Sequence, residues 1–231
     1  MFHNIIITMH KFFSQLLDLI YKKKCYFCSK SKENTKMCTS CYKKIAFLPS
    51  KPLRFIDNVQ IYCATVYANN AKKMIRAIKY HNQKELAHYQ AKLMYDYWQT
   101  LDIKDNEYII VPIPLHKSRE KKRKYNHMLL IAREFSEMSG YSIANDLMTR
   151  IKDTKPQYKL NQQQREKNMY EAFCIDSKNS EKYKDKNLLI IDDIYTTGTT
   201  LREAINTLNA KDFNNITCFT TSCSELNFAL F

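Results

Sequence analysis

Leu188-Leu189-Ile190-Ile191-Asp192-Asp193-Ile194-Tyr195-Thr196-Thr197-Gly198-Thr199-Thr200-Leu201 is the stretch that decides the fold. An apolar run of strand length leads into two adjacent carboxylates, then into a hydroxyl-rich loop holding one of the chain's two glycines. Leu201, Ala204, Ile205 and Leu208 follow at helical spacing. A strand, a short loop and a helix N-terminus in succession make a phosphate cradle, because backbone N–H groups converge and the helix dipole favours an anion. Thr196, Thr197, Thr199 and Thr200 add hydroxyl donors, and Gly198 permits a close approach that a side chain would block. Asp192 and Asp193 suit accepting hydrogen bonds from sugar hydroxyls or holding a hydrated Mg²⁺. The competing reading is an ordinary buried strand with a polar helix cap. It leaves two like charges at a strand end without ligand or cation, which is costly. The loop is not a Walker A loop, since the Gly-Lys-Ser/Thr ending is missing.

A second signal lies nearer the N-terminus. Cys25-x-x-Cys28 is followed after nine residues by Cys38-x-x-Cys41. Two close pairs of thiolates can surround one Zn²⁺ tetrahedrally, and four ligands leave no open position, so the site reads as structural. Two disulfides, or a redox Cys-x-x-Cys, are the alternatives; duplication of the pair argues against the redox one. Cys63, Cys174, Cys218 and Cys223 show no ligand spacing, and Cys63 and Cys218 sit in apolar runs as expected of small core residues.

The chain of 231 residues fits one medium domain with a small appendage. Three segments are read: an amphipathic helix over 1–24, a zinc-binding knot over 25–50, and an α/β domain over 54–231. In the first, Ile5, Ile6, Met9, Phe12, Phe13, Leu16, Leu17 and Ile20 fall on one helical stripe. Lys11 and Asp18 interrupt any secretory apolar core, and no small-residue cleavage site follows, so a docking helix is read rather than a leader. The sharper alternative is adsorption to a membrane surface through this helix and Lys22-Lys23-Lys24. No apolar run is long enough for a transmembrane helix. Thiolate ligands point to a reducing cytoplasm. The net charge of +14 favours polyanions. However, lysine supplies 29 of the 37 basic residues in a chain poor in glycine, a pattern that codon bias produces without selection for nucleic acid.

Periodicity places a strand over Val59–Tyr67 and helices over Ala71–Tyr80 and Leu86–Leu101. A short buried strand follows over Tyr108–Ile113, then a helix over Met128–Met138 that Gly140 stops. Lys152–Lys167 is polar and strand-poor. The motif strand over Leu188–Asp192, its helix over Leu201–Ala210 and a last strand over Ile216–Thr221 complete the chain. Alternating strands and helices predict a mostly parallel α/β sheet flanked by helices, with a ligand beyond the carboxyl ends of the strands.

Two basic loops accompany the motif. Val111-Pro112-Ile113-Pro114-Leu115-His116-Lys117-Ser118-Arg119 and the Lys/Arg run after it leave a strand and enter a helix, as a neighbour for pyrophosphate would. Thr154, Gln157, Leu160, Arg165, Asn168 and Ala172-Phe173 are spaced along an otherwise unstructured stretch that reads as a lid bringing Arg165 to bear on charge.

The Asp-Asp-x-Tyr-Thr-Thr-Gly loop resembles the phosphoribosyl pyrophosphate (PRPP) signature of type I phosphoribosyltransferases. In one chain with the double Cys-x-x-Cys, Pro-x-Pro-Leu-His-x-x-Arg and the spaced Thr/Gln/Leu/Arg/Asn/Ala-Phe pattern, it resembles the ComF competence family, from about Cys25 to about Phe219. That resemblance implies a type I phosphoribosyltransferase-like fold with a zinc knot, and a role in natural transformation downstream of DNA entry. It implies that Asp192 and Asp193 contact ribose, that Thr196, Thr197, Gly198, Thr199 and Thr200 form the 5′-phosphate loop with Tyr195 among the ligand-binding residues, and that His116, Lys117 and Arg119 face pyrophosphate, while Lys79 also matches a ligand-binding position of the family. Were the chain an enzyme, Asp192, Asp193 and Arg119 would carry a Mg²⁺-dependent transfer from PRPP to an acceptor. Were it a binding protein, the basic loops and Tyr80, Tyr125 and Tyr158 would hold single-stranded DNA. The knot could dock a partner such as a helicase or another part of the competence machinery, in the cytoplasm or at the inner face of the membrane. The family usually has Arg-Gly-Phe-Asn-Gln where this chain has Arg123-Lys124-Tyr125-Asn126-His127.

Overall fold

The structure is a computed structural model and describes residues 23–31, 33–154 and 161–224. The N-terminal amphipathic stripe, Tyr158 and the middle of the expected lid lie outside the described residues. The chain divides into two compact units, Met1–Ile45 and Ala46–Phe231.

In the first unit, the Cys25–Cys28 turn carries two cysteines, and a single helical turn, Thr39–Tyr42, carries Cys41 with Cys38 at its N-cap. Backbone bonds from Cys25 N to Lys30 O and from Tyr26 N to Lys36 O close the two loops on each other.

The second unit starts earlier than the sequence suggests. Leu48 is buried, its N–H donates to Ala64 O, and Thr65 Oγ1 donates to Ala46 O. Residues 46–53 therefore line the sheet rather than linking to it. The sheet begins with a hairpin, β1 (Arg54–Ile56) and β2 (Val59–Val66). Helices α1 (Asn69–Tyr80) and α2 (Leu86–Trp98) follow, then β3 (Ile109–Pro112). Next come α3 (Lys117–Arg123), α4 (His127–Ser139) and β4 (Ser142–Ile143). A separate antiparallel pair, β5 (Met148–Arg150) and β6 (Phe173–Ile175), brackets α5 (Gln162–Met169). β7 (Leu188–Tyr195), α6 (Thr199–Asn209) and β8 (Ile216–Cys223) end the described fold. The main sheet runs β1-β2-β8-β7-β3-β4, parallel except for the β1 edge.

The central strands explain the order. Leu188, Leu189, Ile190 and Ile191 on β7 are all buried, as a strand covered on both faces requires. Cys63 and Cys218 are buried on neighbouring strands, as small core residues. Trp98 closes one layer: its ring meets Phe135, Tyr108 and Phe219, and its Nε1 donates to Tyr141 Oη at 3.1 Å. α4 ends at Gly140, whose φ of +77° makes the left-handed cap. Because the four inner strands run parallel, their carboxyl ends open on one side.

Candidate phosphate and metal sites

A cavity of about 620 Å³ lies at those carboxyl ends. Tyr67 after β2, Ile113 and Leu115 after β3, and Asp192, Asp193, Ile194, Thr196 and Thr200 from β7 and its loop contribute to its wall. The loop takes its shape from Gly198, with φ +76°, which stands at the N-cap of α6 and accepts from Arg202 N at 2.8 Å. Thr197 Oγ1 and Thr199 Oγ1 lie 2.8 Å apart. The amide groups at the start of α6 have no partner within the helix, as at any helix N-terminus, and a threonine loop brings hydroxyls to the same place. From the other side, Arg165 on α5 reaches Thr196 Oγ1 at 3.3 Å. α5 is a helix within a segment whose polar sequence predicts no regular structure. A capping box starts it, Asn161 Oδ1 accepting from Gln164 N at 2.9 Å and Gln164 Oε1 accepting from Asn161 N at 3.0 Å.

The two carboxylates stand in different surroundings. Asp193 is buried and forms an ion pair with Lys79 of α1. Its Oδ2 also accepts from His127 Nε2 at 2.7 Å. Burial works against its charge, but Lys79 and the His127 ring outweigh burial and hold the carboxyl well below the usual range. Burial is also the largest influence on His127, whose pKa is pushed down to about 4. Its ring is therefore neutral near pH 7, with Nδ1 accepting from Arg123 Nη1 at 2.7 Å and Nε2–H donating to Asp193. Asp192 has no such partner set. Burial, then the charge on Asp193, raise its pKa to about 7.

Lys79, Arg119, Arg165, Asp192, Asp193, Thr196 and Thr200 thus meet in one cavity. Tyr195, Gly198 and Thr199 back the loop in an adjoining cleft, and Thr197 is exposed beside it. His116 and Lys117 are not in the lining. His116 caps α3, accepting from Ser118 N at 3.3 Å, and lies 3.6 Å from Asp153 Oδ1. α3 turns Arg119 and Arg123, four residues apart, towards the cavity while Lys117, Lys121 and Lys122 face solvent.

Three further groups were not read from the sequence. Lys72 and Arg76 share one face of α1 with Lys79 and line the cavity, opposite the buried Ala71, Met74, Ile75 and Ile78. Arg150 enters from β5. Tyr125, expected as an exposed stacking residue, is buried instead, with its hydroxyl donating to Ile78 O. Tyr80 is exposed, with the Arg76 and Arg123 guanidinium groups each 5.8 Å from its ring centre. Lys124 has φ +66°, the left-handed conformation that the family's glycine adopts freely. A non-glycine residue there costs about 1 kcal/mol. His127, where the family has glutamine, supplies the bond to Asp193.

The sulfurs of Cys25, Cys28, Cys38 and Cys41 all lie within 4.8 Å of one another. Cys28 and Cys38 Sγ are 3.8 Å apart, the edge of a tetrahedron about a zinc with Zn–S bonds of about 2.3 Å. Cys38 N–H points to Cys25 Sγ at 3.4 Å, an orientation that suits a thiolate. Four sulfur donors so placed fit a structural zinc.

Fold and cavity define a protein with a phosphoribosyltransferase-type domain, and residues 132–222 match the phosphoribosyl transferase domain family. Among curated proteins, Competence protein F of Haemophilus influenzae is 33% identical over 135 residues, covering 56% of this chain and 58% of the relative. Competence protein ComFC of Bacillus subtilis is 31% identical over 107 residues, covering 46% of this chain and 40% of the relative. DNA utilization protein YhgH of Salmonella typhi is 28% identical over 94 residues, covering 41% and 40%. These relatives bear out the resemblance to the ComF family: the chain is ComF-like, with a phosphoribosyltransferase-like domain. The matched stretches span only 40% to 58% of the relatives' own lengths. Among the described residues, no helix is long and apolar enough to cross a membrane.

Proposed function

We propose that this protein serves natural transformation by handling incoming single-stranded DNA in the cytoplasm, and that its cavity binds PRPP or a related ribose phosphate with Mg²⁺. The observation that supports the pocket is the composition of its wall. Seven cationic side chains, two carboxylates and a threonine loop face one space at the end of a parallel sheet. The loop suits a 5′-phosphate, Asp192 and Asp193 suit ribose hydroxyls or a hydrated Mg²⁺, and the arginines and lysines suit further phosphates. The competence role rests on the names of the relatives, and the DNA-handling role on the basic rim and the exposed Tyr80.

The test is fluorescence anisotropy of labelled oligo-dT at several salt concentrations, with and without Mg²⁺-PRPP. Tight binding with a steep salt slope upholds DNA handling, and competition by PRPP places DNA phosphate in the cavity. No binding near physiological salt overturns it and favours the second reading, transfer of ribose 5-phosphate from PRPP to an acceptor. That reading has its own support in the carboxylates, cations and threonine loop that share the cavity. The rate would come from positioning and charge neutralisation.

Two expectations accompany this reading. The ionised form of Asp192 is the stronger acceptor for ribose hydroxyls, and its pKa is raised to about 7. Ribose 5-phosphate affinity should therefore fall by roughly tenfold from pH 8 to pH 6 beyond the change seen with Asp192→Asn, as calorimetry at a series of pH values would show. The knot should bind one zinc per chain in reducing buffer, as metal analysis reads. Its binding energy, about 10–16 kcal/mol for such sites, is folding energy for the short loops between the cysteines. Cys38→Ser should lower the zinc content, and a wild-type content well under one overturns the four-thiolate site.

A further inference from the structure

Asp193 is held by one oxygen only. The Lys79 ammonium and His127 Nε2 both meet Oδ2, the ring nitrogen at 2.7 Å. Oδ1 accepts no hydrogen bond from the described residues, although Asp193 lines the cavity. On Asp192, the backbone N–H of Asp193 takes Oδ1 at 2.8 Å, and Oδ2 likewise accepts no hydrogen bond from the described residues. Each carboxylate therefore has one oxygen engaged by protein and one left for a ligand hydroxyl.

The two donors to Asp193 act differently. Lys79 carries a point charge on a flexible four-carbon stem, which attracts a carboxylate without fixing its rotation. His127 is a rigid ring, only 4% exposed, and it is gripped at both nitrogens. Arg123 Nη1 lies 2.7 Å from Nδ1. A guanidinium only donates, so Nδ1 accepts and the proton of the neutral ring sits on Nε2, facing Asp193. The backbone beneath the ring is fixed as well. Asn126 Oδ1 accepts from Met128 N at 3.0 Å and from Leu129 N at 3.3 Å at the start of α4. The Tyr125 hydroxyl donates to Ile78 O on α1, next to Lys79. The two helices that supply donors to one carboxylate oxygen are thus tied to each other close to both donors.

We propose that His127 is a positioning residue: it sets the rotation of the Asp193 carboxylate so that Oδ1 meets a ring hydroxyl of the bound sugar phosphate, and so makes the cavity select a hydroxylated sugar ring. A carboxylate turned out of place by a fraction of an ångström would lose that bond, which is why a rigid supporting donor matters. The inference deepens the proposed function and rests on it for the presence of a ribose phosphate in the cavity.

The experiment is calorimetric titration, without Mg²⁺, of ribose 5-phosphate and of tetrahydrofurfuryl phosphate into the full chain. The second compound keeps the ring and the phosphate and lacks the ring hydroxyls, so the ratio of the two affinities reads the hydroxyl contacts. Wild type should prefer ribose 5-phosphate by roughly a hundredfold, as two hydroxyl-to-carboxylate bonds would give. His127→Gln places an amide donor where Nε2 stands and should keep that preference within about threefold. His127→Asn places its amide where Nδ1 stands, out of reach of Asp193, and should reduce the preference by about tenfold. His127→Leu has no donor, should show the same reduction, and stands in for His127→Asn if that variant does not fold. A structural role instead weakens both compounds alike and leaves the preference unchanged, and that result overturns the inference. So does a preference lost in His127→Gln as fully as in His127→Asn. Wild type that binds the two compounds equally overturns the hydroxyl contact, and the inference with it, while the phosphate loop stands. If folded wild type binds neither compound, the pocket reading has failed and the inference falls with it.

Discussion

Asp193→Asn is expected to lower unfolding free energy by about 3 kcal/mol at pH 7 and to abolish detectable ribose 5-phosphate binding. The shape of the side chain survives this change and the charge does not. Lys79, with its side chain only 17% exposed, then loses the partner that offsets its burial. Neutral His127 can still donate to the amide oxygen, so the loss is electrostatic rather than one of packing. Asp192 limits the damage, because relief from the charge on Asp193 allows it to ionise beside Lys79. The pH window follows from the two shifts. Asp193 has its folded pKa depressed, so its contribution is present above the unfolded value of about 4 and lost as pH falls through the folded one. Lys79 has its folded pKa raised, so its contribution is present below the unfolded value of about 10.4 and lost as pH rises through the folded one. The difference between wild type and variant, read from urea unfolding, should be greatest between about pH 4 and pH 10. Adding Lys79→Met to Asp193→Asn should recover part of the stability and none of the binding. Recovery of both would reduce the pair to a structural role.

Gly198→Ala is expected to cost about 2 kcal/mol and to reduce ribose 5-phosphate affinity by tenfold or more. The backbone at Gly198 has φ +76°, and a Cβ there would stand 2.9 Å from Tyr195 Oη and 3.0 Å from Tyr195 Cε2. The Tyr195 ring, itself buried, must swing or the loop must lift. Either movement carries the α6 amides and the hydroxyls of Thr196 and Thr199 out of register with a bound phosphate. Gly140→Ala is the matched control. Its φ is +77°, but nothing lies within 4 Å of the added Cβ. It should cost about 1 kcal/mol from backbone strain alone and leave affinity unchanged. Equal affinities for wild type and Gly198→Ala would remove the loop from the binding site.

The motif strand and its loop are legible in the sequence because each residue type there has a local reason. Four consecutive aliphatics read as a strand covered on both faces, and Gly198 reads as the turn before a helix. The cysteine spacing is legible for the same reason, since ligand geometry constrains near neighbours. What escaped reading depends on distant pairing. β5 and β6 are three residues each, too short for alternation to show, and Arg150 meets Phe173 only across the fold. Lys72 and Arg76 sit on the polar face of an amphipathic helix, where solvated basic residues are the ordinary case. Tyr125 looked exposed within a run of charges, yet the left-handed turn at Lys124 directs it inward beneath α1. The helix α5 was readable in principle, since Asn161 and Gln164 make a capping box three residues apart. It has no apolar face to announce it.

The pocket is tested most directly by calorimetric titration of Mg²⁺-PRPP into the wild-type chain, with the double variant Asp192→Asn and Asp193→Asn alongside. Saturable one-to-one binding in the micromolar range by wild type, lost in the variant, is the result predicted from the cavity. Absence of binding by folded wild-type protein at millimolar PRPP would contradict it, as would equal binding by wild type and a folded variant.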